Sequence, residues 1–259
     1  MFTWRHFVWI LICVVIAVVI LIIYDKRTGP PITKILTCAV VISAVSEFTK
    51  IFCMIEFVPS TNGTMIMPYL SLNHLPLHFC SIQIILICIA RFTQNKKLRE
   101  SLLAFMYPTC VGGAISAILM PSIFTTSIPV EKAFIHPMSY QFFFYHTMLF
   151  VLGIIIVKSG EVKWQWKHFR NTIGIVYLFG IVSIYLNSLF ASPTYVDGEL
   201  KSVDYWTNFF FTYRNPLGIN ITEIWQWYVY LAVLAAVATV LIFLLYLPVI
   251  LHREKVNKR

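Results

Sequence analysis

Long apolar stretches recur along this chain, and short polar connections separate them. A helix that crosses a membrane needs roughly 20 mostly apolar residues, and seven stretches fit that requirement. A transmembrane barrel would instead show short segments in which apolar and polar positions alternate. The pattern therefore predicts an all-α, polytopic membrane protein with seven transmembrane helices. The predicted spans are residues 7–24, 32–57, 74–92, 101–120, 138–157, 170–191 and 225–250.

The charges of the connections predict how these helices are oriented. Basic residues are concentrated in every second connection and in the C-terminal tail, whereas residues 58–73, 121–137 and 192–224 are neutral or acidic. Because cytoplasmic loops carry the excess of Lys and Arg, the N-terminus is expected outside and the C-terminus in the cytoplasm. The basic residues of these connections and of the tail are Lys26, Arg27, Lys34, Arg91, Lys96, Lys97, Arg99, Lys158, Lys163, Lys167, Arg170, Arg253, Lys255, Lys258 and Arg259.

The composition supports the same class. The chain is 59% hydrophobic and 12% charged, with a mean hydropathy of +0.78, whereas soluble domains are about one-half apolar and one-quarter charged. A soluble globular fold is thereby excluded, and the net charge of +9 reflects topology rather than nucleic-acid binding. No linker or internal repeat divides residues 1–259. We expect a single domain in the cell membrane, in a bacterial plasma membrane, with a long outer loop at 192–224.

Polar residues from five predicted spans lie at similar depths below the outer surface. At about 1.5 Å per helical residue, they lie between about 6 and 15 Å deep. Ionisable residues within a span usually face the bundle interior or a water-filled cavity. The economical interpretation is one polar pocket that opens outward. Its candidate residues are Glu47, Lys50, His78, Cys80, Cys110, His146 and Asn187.

This set of residues offers a cysteine and histidines for nucleophilic catalysis, in which an imidazole takes the proton of a thiol. Residues two apart on a helix do not share a face, so His78 and Cys80 aim at one reacting atom only if Pro76 distorts the first turn. Cys80 is therefore the candidate nucleophile and His146 its base, with His78 as a second acid–base group or oxyanion donor. Ser81, on the His78 face, is the rival nucleophile.

Other roles are open for some of these residues. Glu47 and Lys50 are three apart on one helix face, so they either form a structural ion pair or serve function. Two histidines with Glu47 could hold a metal, but their positions give no ligand-spacing signature, and no metal or other cofactor is expected. The six cysteines lie in apolar segments without CxxC spacing, which indicates neither a disulfide framework nor a zinc module.

Two short stretches resemble a known family. "LPLHFC" at 75–80, "FFYHTMLFVL" at 143–152 and the acidic Glu47 of the second span are similar to the YwaF-type bacterial integral membrane proteins. These are related to the animal transmembrane-protein-164 acyltransferases. The resemblance implies acyl transfer on phospholipids by a cysteine nucleophile and a histidine. In the animal pattern the cysteine directly precedes the histidine of the third span, where this chain has Leu77; Cys80 lies three residues after that position.

Two functions follow as expectations. The first is an intramembrane acyltransferase or lipid hydrolase that takes a phospholipid or other acyl lipid from the outer leaflet, with Glu47 and His78 positioning the acyl carbonyl. The alternative is a non-enzymatic transporter, or a membrane protein that binds a lipid or a small molecule, in the same polar cavity; no inverted repeat supports transport. The candidate substrate-binding residues are Lys50, Ser81, Gln83, Asn187 and Cys110.

Overall fold

Helices make up most of the computed structural model, which describes residues 2–24, 29–60, 63, 65–126, 128–216 and 218–257. An apolar surrounding leaves backbone groups no water to bond, so long apolar stretches form helices that satisfy those groups internally. Within the described residues, six helices are long and apolar enough to cross a membrane, and the chain is a multi-pass membrane protein. They are α1 (Trp4–Ile23), α2 (Ile32–Met54), α4 (Lys96–Leu119), α6 (Pro137–Ser159), α7 (Trp166–Leu189) and α8 (Ile224–Asn257); the shorter helices are α3 (Phe79–Phe92) and α5 (Ile123–Thr126).

The third predicted span is shorter than the sequence indicates. It was expected over 74–92, but α3 begins at Phe79 and has 14 residues, about 21 Å at 1.5 Å per residue. The hydrocarbon core of a bilayer is about 30 Å thick. Leu75 is extended, with φ −60° and ψ 142°, because a residue before proline disfavours the helical region and Pro76 follows it. Seven complete spans stay a prediction.

The pair α4 and α6 forms the centre of the bundle. In the apolar stretch of each of these two helices, 56% of the residues are buried inside the protein. The corresponding share in α1, α2, α7 and α8 is 17–22%. Gly153 of α6 permits the close approach: a Cβ atom there would lie 2.6 Å from Val111 Cγ2 and 3.1 Å from the Tyr107 carbonyl oxygen. Small residues let helix backbones pack closely in membranes, where the hydrophobic effect gives no driving force between helices.

At one end of the bundle lie two irregular segments, the described parts of residues 55–78 and 190–223, and we call them the cap. They border a common cavity, to which Tyr69 belongs on one side and Trp206 on the other. The first carries the antiparallel hairpin of β1 (Glu56–Pro59) and β2 (Ile66–Tyr69). The second carries the hairpin of β3 (Ala191–Val196) and β4 (Glu199–Tyr205) and then a 3-10 turn at Phe209–Phe211. Phe210 and Phe211 both have φ of 57°, a left-handed conformation that costs bulky residues free energy and persists only when packing imposes it.

The opposite end carries basic side chains that contact backbone carbonyls and hydroxyls, and we call it the basic end. Lys158 Nζ donates to the Leu21 carbonyl at 2.9 Å, Arg253 donates to the Trp164 carbonyl, and Arg91 donates to Thr37. The position of these basic residues at one end of the bundle agrees with the clustering of positive charge along the sequence. The orientation with the N-terminus outside stays a prediction. Lys26, Arg27, Lys258 and Arg259 lie outside the described residues.

Candidate functional site

The site begins where the chain passes from the cap into α3. His78 is the N-cap residue of α3, in an extended conformation with φ −79° and ψ 155°. Its carbonyl accepts the first helical hydrogen bond, from Ile82 N at 2.9 Å. Its ring meets the ring of Phe209 edge-on, with centroids 5.0 Å apart. His78 therefore lies at the junction of α3 with the second cap segment.

A buried polar cluster lies one turn further along α3. Gln83 is fully buried and bonds to two residues of α4: its Nε2 donates to Thr109 Oγ1 at 3.0 Å, and its Oε1 accepts from Cys110 Sγ at 3.3 Å. Cys110 is also fully buried. Burying an amide costs free energy unless it is hydrogen-bonded, so this network fixes α3 against α4 in one register.

Cys80 lies beside this cluster. Its carbonyl oxygen accepts a hydrogen bond from Tyr145 Oη of α6 at 2.8 Å. Its sulfur is 3.4 Å from the position of a Cβ atom at Gly113, so glycine at that position leaves room for the thiol. As a whole residue Cys80 is partly buried, whereas Cys110 is fully buried.

The Tyr145 hydroxyl brings a further helix to the cluster. It interacts electrostatically with Cys80, Cys110 and Glu47, and the Ser43 hydroxyl of α2 lies beside it. Ser43 is fully buried, and its Oγ has no hydrogen-bond partner of standard geometry among the described residues. Burying an unpaired hydroxyl in an apolar environment costs free energy, and the Tyr145 hydroxyl is the polar group that the structure places beside Ser43 Oγ.

His146 is held by its own helix. Its Nδ1 lies 2.6 Å from the Phe142 carbonyl oxygen. Because a carbonyl oxygen only accepts, Nδ1 carries the proton and Nε2 of the neutral ring has the free lone pair. The centroid of its ring is 4.3 Å from that of Phe142 and 5.6 Å from that of Tyr145, which it meets edge-on. Its neighbours therefore differ from those of His78. Convergence of the two imidazoles on one reacting atom stays a prediction.

Glu47 and Lys50 form an ion pair on α2, the structural alternative that their spacing allowed. His74, in the 3-10 turn of the cap, interacts with both. Burial and then the Lys50 ammonium lower the pKa of His74, while Glu47 and Glu56 raise it. The pair is thus part of a charged group at the junction of α2 with the cap, and a contact to substrate remains a prediction for both residues.

Asn187 has a structural role. It is fully buried, and its Nδ2 donates to the Phe209 carbonyl at 3.1 Å and to Thr212 Oγ1 at 2.9 Å. Its Oδ1 accepts from Phe209 N at 2.8 Å and from Thr207 Oγ1 at 2.9 Å. With two donor and two acceptor bonds inside the protein, its amide holds the cap to α7. Ser81 is partly buried in the first turn of α3.

The structure therefore joins Cys80, Gln83 and Cys110 but gives the other predicted residues different neighbours. Sequence reasoning did not identify Ser43, Thr109 and Tyr145 as parts of the cluster. Tyr145 directly precedes His146, yet an aromatic residue in an aromatic run normally indicates packing. Within the described residues, no group of three or more His, Cys, Asp or Glu side chains is placed to hold a metal ion.

Comparison with known proteins identifies the family. Searches against curated proteins and against solved structures find no match. The family model described as the TMEM164 family matches residues 1–246, which is nearly the whole chain. This confirms the predicted relation to the transmembrane-protein-164 family, while the closer likeness to the YwaF-type bacterial proteins stays a prediction. The chain, with its polar cluster between α3, α4 and α6, belongs to the TMEM164 family.

Proposed function

We propose that this protein is a membrane enzyme that transfers or hydrolyses the acyl groups of lipids at the cap end of its bundle. The observation that carries the proposal is the place of Cys80, a partly buried cysteine in the first turn of a short helix, beside the buried Gln83–Cys110 pair. Membership of the TMEM164 family supports a membrane protein, and the lipid chemistry rests on the site.

The short helix supports a pocket at this depth. If α3 ends level with its neighbours at the basic end, its 14 residues leave about 9 Å of the hydrocarbon thickness to residues 74–78. Non-helical backbone at membrane depth is tolerated only where protein buries it or where it lines a water-filled cavity. We propose the second arrangement, in which residues 74–78 line a water-filled cavity where an acyl ester meets water or an acceptor alcohol.

The reaction divides into two steps. The Cys80 sulfur attacks the ester carbonyl, its proton passes to His146 Nε2, and the C–O bond breaks as the imidazolium returns that proton to the departing lysolipid oxygen. Water or an acceptor alcohol then attacks the thioester, loses its proton to the same nitrogen, and the thiol is restored. His78 and Glu47 position and polarise the carbonyl, with Lys50 and Ser81 beside the substrate and the buried Gln83–Cys110 pair behind Cys80.

The topology follows the distribution of charge. We propose seven spans in one domain, with the N-terminus outside and the cap facing outward, in the plasma membrane of a bacterium. Lipids of the outer leaflet would then reach Cys80 through a lateral opening between helices, without moving the acyl chain through water. In Asn220→Cys the new thiol lies in the exposed part of the cap just before α8, and a membrane-impermeant maleimide should label it in intact cells. Labelling only after lysis would reverse the orientation.

The test of the enzyme is the covalent intermediate. Purified full-length protein in neutral detergent micelles is incubated with phospholipid that carries a labelled acyl chain. The mass of the intact protein is then measured by mass spectrometry. We expect a mass increase equal to one acyl group, removable by neutral hydroxylamine, in the wild type and in Cys88→Ser on the same helix. It should be absent from Cys80→Ser.

Acylation that persists in Cys80→Ser but not in Ser81→Ala would transfer the nucleophile to Ser81. Intact lipid bound tightly by a folded wild type, with neither acylation nor turnover across phospholipid classes, would replace the enzyme by a lipid-binding protein or transporter that uses the same cavity.

A further inference from the structure

One face of the first cap hairpin is wholly apolar and exposed. Side chains alternate between the two faces of a strand, and residues paired across a hairpin share a face. The register pairs Phe57 with Pro68 and Pro59 with Ile66, so these four apolar residues lie on one side. All four are exposed, and Phe57 and Ile66 are each 69% exposed. We call this side of the hairpin the apolar face.

The opposite side of the hairpin is turned towards the rest of the cap. It carries Glu56 paired with Tyr69 and Val58 paired with Met67. Tyr69 borders the cavity that the two cap segments share, and Glu56 interacts electrostatically with His74. Its three largest side chains, Val58, Met67 and Tyr69, are also less exposed, at 36–48%. The apolar face is therefore directed away from the protein.

A hairpin in water normally carries polar side chains on its outer face. The apolar face has none, and residues 57–73 contain no Asp, Glu, Lys or Arg at all. The second hairpin of the cap differs, because residues 191–205 include Asp197, Glu199, Lys201 and Asp204. The charges suit the second hairpin to water. An exposed apolar surface free of charge instead marks a place where the protein meets an apolar partner.

The lipid-facing surface of α2 leads directly to the apolar face. Phe48, Ile51 and Phe52 in the last turns of α2 are exposed, as side chains that contact lipid are. α2 ends at Met54 and β1 begins at Glu56, so one residue separates the helix from the hairpin. The 23 residues of α2 span about 35 Å, and the hydrocarbon core is about 30 Å thick. The hairpin therefore begins at the depth of the lipid head groups.

A strand of another chain is a poor partner for this hairpin. β1 and β2 form a sheet of two strands, so each has an unpaired edge. Pro59 lies in β1 and Pro68 in β2, and proline has no N–H to offer to a further strand. Proline on an edge strand opposes such pairing. The carbonyl groups of the two edges still need water, which keeps the hairpin out of the hydrocarbon core.

We infer that the apolar face rests on the membrane, with Phe57 and Ile66 inserted among the upper acyl chains of the leaflet on the cap side. The hairpin lies flat, because a strand of four residues standing upright would rise about 13 Å, beyond a head-group layer of about 5 to 8 Å. Since the hairpin has no basic residue, the contact needs no anionic lipid. This surface is separate from the proposed acyl chemistry and does not depend on it.

Photocrosslinking in a lipid bilayer tests the inference. The photoreactive residue p-benzoylphenylalanine is placed at Phe57 of the full-length protein in nanodiscs of phosphatidylcholine alone, and intact mass spectrometry identifies what it binds after irradiation. The same residue at Phe52 of α2 is the reference for lipid contact, and at Leu200, which is 56% exposed in the second hairpin, it is the control. We expect the mass of one phospholipid to be added at Phe57 and at Phe52. The yield at Leu200 should be at least about fivefold lower, because only an apolar face lies among acyl chains.

The other occupants of the apolar face give different masses. A doubled protein mass at Phe57 would show that a second copy of the chain covers the face, and no adduct there while Phe52 reacts would place the hairpin in water. Either result, or equal yields at Phe57 and Leu200, would overturn the inference. If the variant at Phe57 does not fold, the probe is placed at Ile66 on the other strand, where the same adduct is expected.

Discussion

The centre of the bundle and the cap are held together in different ways. Between α4 and α6 the contact is steric: Gly153 lies so close to α4 that a Cβ atom would meet Val111 Cγ2 at 2.6 Å. The cap is held by polar groups, above all by the four hydrogen bonds of Asn187. Close packing is what holds helices together in lipid, because lipid tails are as apolar as the side chains and the hydrophobic effect does not drive helices to associate there.

This difference has a consequence for function. Hydrogen bonds at the water boundary compete with water, so a polar attachment opens more easily than a close-packed interface. The second cap segment contacts His78 through Phe209, and Asn187 holds Phe209 through both its N–H and its carbonyl. We therefore expect that the second cap segment, which borders the candidate site, opens at a lower free energy than the α4–α6 interface.

The largest effect is expected from Asn187→Ala. It leaves the Phe209 N–H and carbonyl without their partner, and we expect the cap to lose about 3 kcal/mol of stability. Hydrogen exchange followed by mass spectrometry should show amides of residues 206–214 exchanging about a hundredfold faster, with amides of 145–156 unchanged. Asn220→Ala, an exposed asparagine of the cap, is the control. Equal loss of protection in both regions would mean that cap and bundle open as one unit.

Gly153→Ala tests the steric side of the comparison. The added methyl group meets Val111 and the Tyr107 carbonyl, and overpacking of this kind costs about 2 kcal/mol. Unfolding in mixed micelles should show a lower midpoint than in the wild type. Gly174→Ala, with nothing within 4 Å of its Cβ position, should instead be neutral or stabilising, because alanine favours the helix. A stable Gly153→Ala would show that α4 and α6 separate freely.

A smaller, pH-dependent effect is expected in the cap alone. Burial and Lys50 lower the pKa of His74 in the folded protein, so the unfolded state takes up its proton first, near its ordinary value of about 6.5. The stabilisation by neutral His74 is complete above that pH and is lost as the pH falls below it. Hydrogen exchange at pH 7.5 and 5.5, corrected for the intrinsic rate, should show the cap loosening, and His74→Gln should remove most of that change. A cap whose protection does not depend on pH would contradict this.

The sequence predicted most of the fold because hydrophobic length alone decides it in a membrane. Six of the predicted spans are helices long enough to cross a membrane. Most of their ends lie within a few residues of the predicted boundaries. α3 differs because the predicted span included residues 74–78, His-Leu-Pro-Leu-His, whereas Pro76 keeps the backbone there out of the helix. The hairpins of the cap were not predicted, since short strands in a polar connection give a weak signal.

The candidate site was predicted as a list of residues but not as a set of contacts. Depth along a helix can be counted from the sequence, and it brought Cys80 and Cys110 into one group. Which face each side chain takes depends on how the helices rotate against their neighbours. That rotation separates the surroundings of His146 from those of His78, and it makes Asn187 a residue that holds the cap.

The brevity of α3 ties this protein to the thickness of its host membrane. A bilayer adjusts to a mismatched element by thinning, at a cost of fractions of a kcal/mol for each ångström. Residues 74–78 lie near the water boundary in a thin membrane and sink into hydrocarbon in a thick one, where their carbonyls lose solvation. Longer acyl chains in the surrounding lipid therefore oppose the arrangement of His78, and shorter ones favour it.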